Sequence, residues 1–159
     1  MRRLVLLSAG LLLLAFAGMA TAGPAAFKGK VKGGGTLDFK VKFKRGKPVQ
    51  VVHAANPKPF GKGFTYTAIP VKCEQGREQI FSQVPKALKV SKKGKFSYKL
   101  NLPQHTPQGN YVNTVRISGK FVSKKKATGT LRFQGVLYHA PSVLWTDCDS
   151  GVKRWTAKR

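Results

Sequence analysis

The amino-acid sequence predicts an all-β protein: a single antiparallel barrel or closed sandwich of about eight or nine strands, mostly hairpin-connected. Three observations carry this. Apolar residues recur with a period of two, as where Leu37, Phe39, Val41 and Phe43 alternate with Asp38, Lys40, Lys42 and Lys44. Strict alternation gives a pleated strand one apolar and one polar face. Glycine and proline, 17 and 9 of the 159 residues, cut the chain into strand-sized pieces. No segment shows a convincing amphipathic helix. Closure is expected because many short strands with open edges invite aggregation.

In chain order, residues 1–22 read as a secretory signal peptide. Arg2 and Arg3 supply a positive start, Leu4 to Ala17 an almost wholly apolar run, and Ala20-Thr21-Ala22 the small residues of a cleavage site. The run is short for a membrane span of about 20 residues. No cysteine follows it to carry a lipid. Residues 23–159 are then the single β-domain of an exported protein, secreted, periplasmic or at the cell envelope. Strands are expected near 27–32, 36–44, 48–54, 64–73, 87–91, 95–102, 111–123, 128–138 and 151–158. Phe96, Tyr98, Leu100 and Leu102 alternate with polar residues, as do Val115, Ile117, Gly119 and Phe121, and Leu131, Phe133, Gly135 and Leu137. Arg45-Gly46-Lys47, Ser91 to Gly94 and Ser123 to Lys126 read as hairpin turns. Asn56 to Gly63 and Pro103 to Asn110, rich in proline and glycine, read as irregular loops. Gln75 to Val84 has room for one short helical turn. In the last strand Val152 and Trp155 are three apart, so burying both requires a bulge at Lys153-Arg154. The expected core is Leu37, Phe39, Val41, Phe43, Phe96, Tyr98, Ile117, Phe121, Leu131 and Phe133.

The two cysteines, Cys73 and Cys148, are an even count in an exported chain. That points to one disulfide, with two buried thiols as the alternative. Neither has a histidine at ligand spacing, so no metal site is expected. Several segments carry a resemblance: Thr36-Leu37-Asp38-Phe39-Lys40-Val41, Gly94-Lys95-Phe96-Ser97, Ile117-Ser118-Gly119-Lys120-Phe121, Ala127-Thr128-Gly129-Thr130-Leu131, and Cys148-Asp149-Ser150-Gly151 with Trp155-Thr156-Ala157-Lys158-Arg159. Together they resemble a loose group of small exported bacterial β-proteins of unestablished function. The resemblance spans most of residues 23–159. It implies a single β-domain with a Cys73–Cys148 bridge, and it carries over no catalytic residue.

Enzymatic chemistry lacks raw material. His53, His105 and His139 are the only histidine bases, and none lies in a nucleophile motif. The carboxylates are Asp38, Glu74, Glu78, Asp147 and Asp149. Glu74 and Glu78 lie near each other in sequence, and a disulfide would bring Asp147 and Asp149 close to Glu74, the arrangements from which an acid pair could come. Asp147-Cys148-Asp149-Ser150-Gly151 lacks the ligand series and terminal glutamate of a calcium loop. No glycine-rich phosphate loop precedes a helix. A non-enzymatic protein without cofactor is the expectation.

Charge is the strongest functional signal. The chain carries 30 Lys and Arg against 5 Asp and Glu, a net +25; without Arg2 and Arg3 it is +23. Lys40, Lys42 and Lys44 form a ladder on one strand. Lys92, Lys93 and Lys95 mark one hairpin tip, and Lys124, Lys125 and Lys126 another. Such a surface attracts polyanions by releasing their counterions. Outside a cell these are anionic cell-wall polymers, acidic polysaccharides, anionic lipid head groups and free nucleic acid. Nucleic acid would be bound without sequence preference, since no recognition motif is visible. The plain alternative is that the lysines serve only solubility. A second function class is a protein-binding or inhibitor-like module presenting 56–63 or 103–110 from a rigid scaffold. The least favoured is a small hydrolase. Tyr111, Tyr138, Trp145 and Trp155 are the aromatics with a role to assign: Trp155 is expected in the core and Trp145 at the surface.

Overall fold

The computed structural model describes residues 23–52, 64–84, 87–139 and 144–159. The proposed signal peptide, His53 and the 56–63 loop lie outside them. The strands are β1 (Ala25–Val31), β2 (Thr36–Lys44), β3 (Lys47–Val52), β4 (Thr65–Cys73), β5 (Gly76–Gln83), β6 (Leu88–Lys89), β7 (Lys95–Thr106), β8 (Gly109–Ser123), β9 (Lys126–His139), β10 (Leu144–Asp149) and β11 (Lys153–Lys158). Every pairing is antiparallel.

Six strands close into a barrel in the order β4-β10-β9-β11-β1-β2, with β2 returning to β4. Closure works because some strands change partner along one edge. β2 pairs β4 through Thr36–Asp38 and β3 from Lys40 onward. β9 pairs β11 up to Leu131 and β10 from Gln134. The β7–β8 hairpin extends the sheet from the other edge of β9, and β5 flanks β4.

The period-two pattern places the core as expected. Leu37, Phe39, Val41, Phe96, Ile117, Phe121, Leu131 and Phe133 are buried, while Phe43 and Tyr98 are half-buried and pack against them. Phe39 is the hub. It stacks on Phe27 and Phe64, with ring centroids 5.4 and 5.1 Å away, and meets Phe96, Phe121 and Trp155 edge-on. Trp155 fits only because the opposed pair Gly119 and Gly129 has no side chains: a Cβ on Gly119 would lie 2.8 Å from the indole.

Several local expectations are corrected. Gln75 to Val84 holds strand β5 rather than a helical turn; pairing with β4 along its length overrides the local pattern. Residues 144–149 form β10, which alternation did not reveal because its inward residues include Thr146 and Cys148. Pro103 to Asn110 is not an irregular loop. The β7–β8 ladder runs through it to a turn at Pro107-Gln108, and outermost strands tolerate a proline such as Pro103. No bulge is needed at Lys153-Arg154, because Val152 is 65% exposed and alternation is regular from Lys153. On β3, Val51 is buried and Val49 exposed.

Cys73 and Cys148 are disulfide-bonded. They are opposed residues of β4 and β10, Cα atoms 4.1 Å apart, and the bridge pins a ladder of only two residue pairs. Beyond the Thr114–Gln134 end of the β8–β9 ladder, buried Asn113 replaces a strand partner. Its Nδ2 donates to the Val136 carbonyl (2.9 Å), and its Oδ1 accepts from the Val136 N–H (2.7 Å). The adjoining Gly135 has a φ of +149°, and a Cβ there would strike the Asn113 amide.

Candidate functional site

Three tight turns bring lysines to one end of the barrel. The β2–β3 turn has Arg45 and Gly46 at φ +51° and +72°, the signature of a type I′ hairpin. The β6–β7 turn carries Lys92 and Lys93, and the β8–β9 turn Lys124 and Lys125. Backbone bonds tie them together. The Val90 N–H donates to the Val49 carbonyl (3.0 Å) and the Phe121 N–H to the Gly94 carbonyl (2.9 Å). The Lys124 ammonium reaches over Gly46, where an added Cβ would be 3.1 Å from it. A depression of about 430 Å³ between the tips is lined by Lys47 to Val49, Val90 to Gly94 and Phe121 to Ser123. The Arg159 N–H donates to the Lys125 carbonyl (3.0 Å), which places Lys158 and Arg159 there too.

Of the residues singled out from sequence, Lys44, Lys92, Lys93, Lys124, Lys125 and Lys126 belong to this end. Lys42 is exposed and Lys40 half-buried on the outer side of β2, leading toward it. Lys95 stands directly opposite Lys120, on the adjoining wall. Sequence reasoning passed over Arg45, Lys47, Lys120, Lys158 and Arg159. The first two flank a glycine already read as a turn, so their place was legible. Lys158 was not: only the pairing of non-consecutive strands sets Lys126, Lys158 and Lys28 in one transverse row across β9, β11 and β1. Directly opposed like charges destabilise a sheet, by about 0.2–1 kcal/mol per pair. Asp38 relieves Lys28 from its other side, whereas Lys126 and Lys158 have no acid as a register partner.

None of the five acidic side chains lies in these turns. Asp38 faces Lys28 across β1 and β2. Glu74 and Asp147 meet near the disulfide, where the Glu74 N–H donates to the Asp147 carbonyl (3.2 Å). Asp149 is held by Arg132, whose Nε and Nη2 donate to its two oxygens at 3.1 and 2.6 Å; the Gly151 N–H adds a bond of 2.7 Å. The Arg132 bonds, assisted by the Gly151 N–H and against partial burial, hold the Asp149 carboxyl below its ordinary range. Its contribution to stability is present above that ordinary range, near pH 4, and is lost as pH falls through the depressed value. The pair is about two-fifths exposed, so water screens it and the effect is small. Asp149→Asn should lower the urea midpoint at pH 7, with the gap to wild type closing as pH falls below about 4. A gap that persists unchanged in acid would mean that the side chain acts by packing alone.

Asp149 and the next residue have structural partners in place of the cation shell considered for 147–151. The Phe133 N–H donates to Ser150 Oγ (2.9 Å), and the Ser150 N–H returns a bond to the Phe133 carbonyl (3.0 Å). His105 lies at the exposed end of the β7–β8 hairpin, with Nδ1 2.7 Å from Asn110 Oδ1. The His139 and Trp145 side chains lie outside the described residues. Trp155 is buried, Tyr111 half-buried and Tyr138 exposed. Among the described residues no helix is long and apolar enough to cross a membrane. No protein-family model, curated protein or solved structure matches the chain.

Proposed function

We propose that the protein is a non-enzymatic binder of anionic polymers or surfaces, acting at the cell envelope or outside the cell, and that the three-tip end is its contact surface. The observation that carries this is the convergence of three lysine-bearing turns, from separate parts of the chain, with no acidic side chain in any of them. Export is supported by the charged and apolar pattern of residues 1–22 and by the disulfide, which persists in oxidising compartments. Exposed lysines within a Debye length of about 8 Å at physiological salt act together on a polyanion, and weaken together as salt rises.

The test is retention of residues 23–159 on an immobilised polyphosphate or sulfated polysaccharide across a salt gradient. Binding is expected at low salt with a steep linear fall of log affinity against log salt. Replacing Lys92, Lys93, Lys124 and Lys125 by Gln should reduce that slope by about 3, roughly 0.7 per lost contact as for a single-stranded polyanion. Replacing Lys40, Lys42 and Lys44 should reduce it less, because Lys40 is half-buried and Lys42 sits back from the tips. No retention at low salt would leave the lysines a solubility device.

A second reading, a protein-binding module, is favoured by the far end of the β7–β8 hairpin. It extends beyond the last β8–β9 pair, Thr114 with Gln134, and exposes Leu102 and Val112. A partner bound there would survive moderate salt.

A further inference from the structure

A second basic surface differs from the tips in chemistry. An open groove of about 710 Å³ lies along the wall formed by β6, β7, β8 and β9. It is lined by the ammonium-bearing Lys89, Lys95 and Lys120 and by the hydroxyls of Ser97, Ser118 and Thr128, with no acidic residue. The register makes two parallel rows across the strands. Lys95, Lys120 and Thr128 are opposed in one, and Ser97, Ser118 and Thr130 in the next. Rows two residues apart along a strand are separated by about 7 Å. The outer face of β2 repeats lysine at every second position through Lys40, Lys42 and Lys44; here the repeat gives way to hydroxyls. A surface selected for charge alone has no need of them.

Resting on the polyanion reading, we propose that this groove binds polyol-phosphate units, in which a phosphate and a free hydroxyl are separated by a short carbon chain. An anion placed between Lys95 and Lys120 relieves their direct opposition. The ammonium groups donate to phosphate oxygens as compact point charges. Serine and threonine hydroxyls both donate and accept, which is what a neutral polyol hydroxyl requires and what a bare phosphate chain does not use. The volume is that of a small-ligand site. The groove thus confers selectivity on an attraction that the tips supply without discrimination.

The experiment compares two probes of equal charge and spacing: a glycerol-phosphate oligomer with free hydroxyls and the same oligomer with those hydroxyls methylated. Wild-type protein is expected to bind the free form about tenfold tighter, the worth of one to two net hydrogen bonds. The Ser97→Ala/Thr128→Val variant should lose most of that preference while keeping its affinity for the methylated form, which also reports that it is folded. Lys95→Gln/Lys120→Gln should weaken both forms. Equal affinity of wild-type protein for the two forms, or a preference that survives Ser97→Ala/Thr128→Val, overturns the groove proposal and leaves tip binding standing. Failure to bind either form or polyphosphate overturns the polyanion reading itself.

Discussion

Phe39→Ala is expected to destabilise the fold by about 3–5 kcal/mol, the range for truncating a fully buried phenylalanine. The upper part of that range applies here. The ring is wholly buried and touches five other aromatic rings. Those rings come from several strands and from the residue just before β4. Large planar groups held from so many directions cannot collapse into the space left behind, so the lost contacts are not recovered. Urea denaturation followed by tryptophan fluorescence is the measurement, because Trp155 borders the vacated space. A loss below about 1 kcal/mol would show that the core is plastic and that Phe39 is not its hub. Phe43→Ala, on the same face of β2 but half-buried, is the control and should lose distinctly less.

Cys73→Ser/Cys148→Ser should cost about 4–5 kcal/mol, because the bridge joins residues 75 apart and removes the closure entropy of that loop from the unfolded chain. The effect has a structural component as well. β4 meets β10 through only two residue pairs, one of which is the cysteine pair, and this contact is one link of the ring. Without the bridge the link has little to hold it, so β10 should exchange its amide protons faster than β9 or β11. Equal protection of all three strands in the variant would restrict the bridge's role to the unfolded state. Because domains of this size have about 5–15 kcal/mol in hand, the variant should remain folded but be much closer to its unfolding threshold.

The parts of the architecture that follow local rules were legible in the chain. Leu37 to Phe43 and Val115 to Phe121 alternate because successive side chains on a strand point to opposite faces, and burial selects one face. Arg45-Gly46, Lys92 to Gly94 and Lys124-Lys125 were readable as turns for similar reasons. Strands β5 and β10 were not. Arg77, Glu78 and Gln79 have no β preference, and β10 turns Thr146 and Cys148 inward where an apolar alternation was sought. Both exist because β4 and β9 offer unpaired backbone groups beside them, a condition no local window contains. Pro103 misled in the opposite direction: proline argues against a strand except in an edge strand, and edge status is a property of the whole sheet.

The candidate site divides along the same line. The number of lysines, their strand-face and turn positions, and the scarcity of acids are properties of the sequence alone. Their convergence is not. Lys92 and Lys124 are distant along the chain, and nothing local says whether two hairpin tips share an end of a barrel or lie at opposite ends. That was decided by the pairing of β3 with β6 and of β7 with β8, together with the Val90–Val49 and Phe121–Gly94 backbone bonds. The physical reason is range. Strand alternation and turn chemistry are set by sterics over a few residues, whereas the partner of a strand edge is chosen by burial and hydrogen bonding summed over the whole sheet. By itself the sequence determined a cationic β-protein with lysines at its turns. Only the tertiary structure gathered those turns into one surface and set the serine and threonine rows beside Lys95 and Lys120.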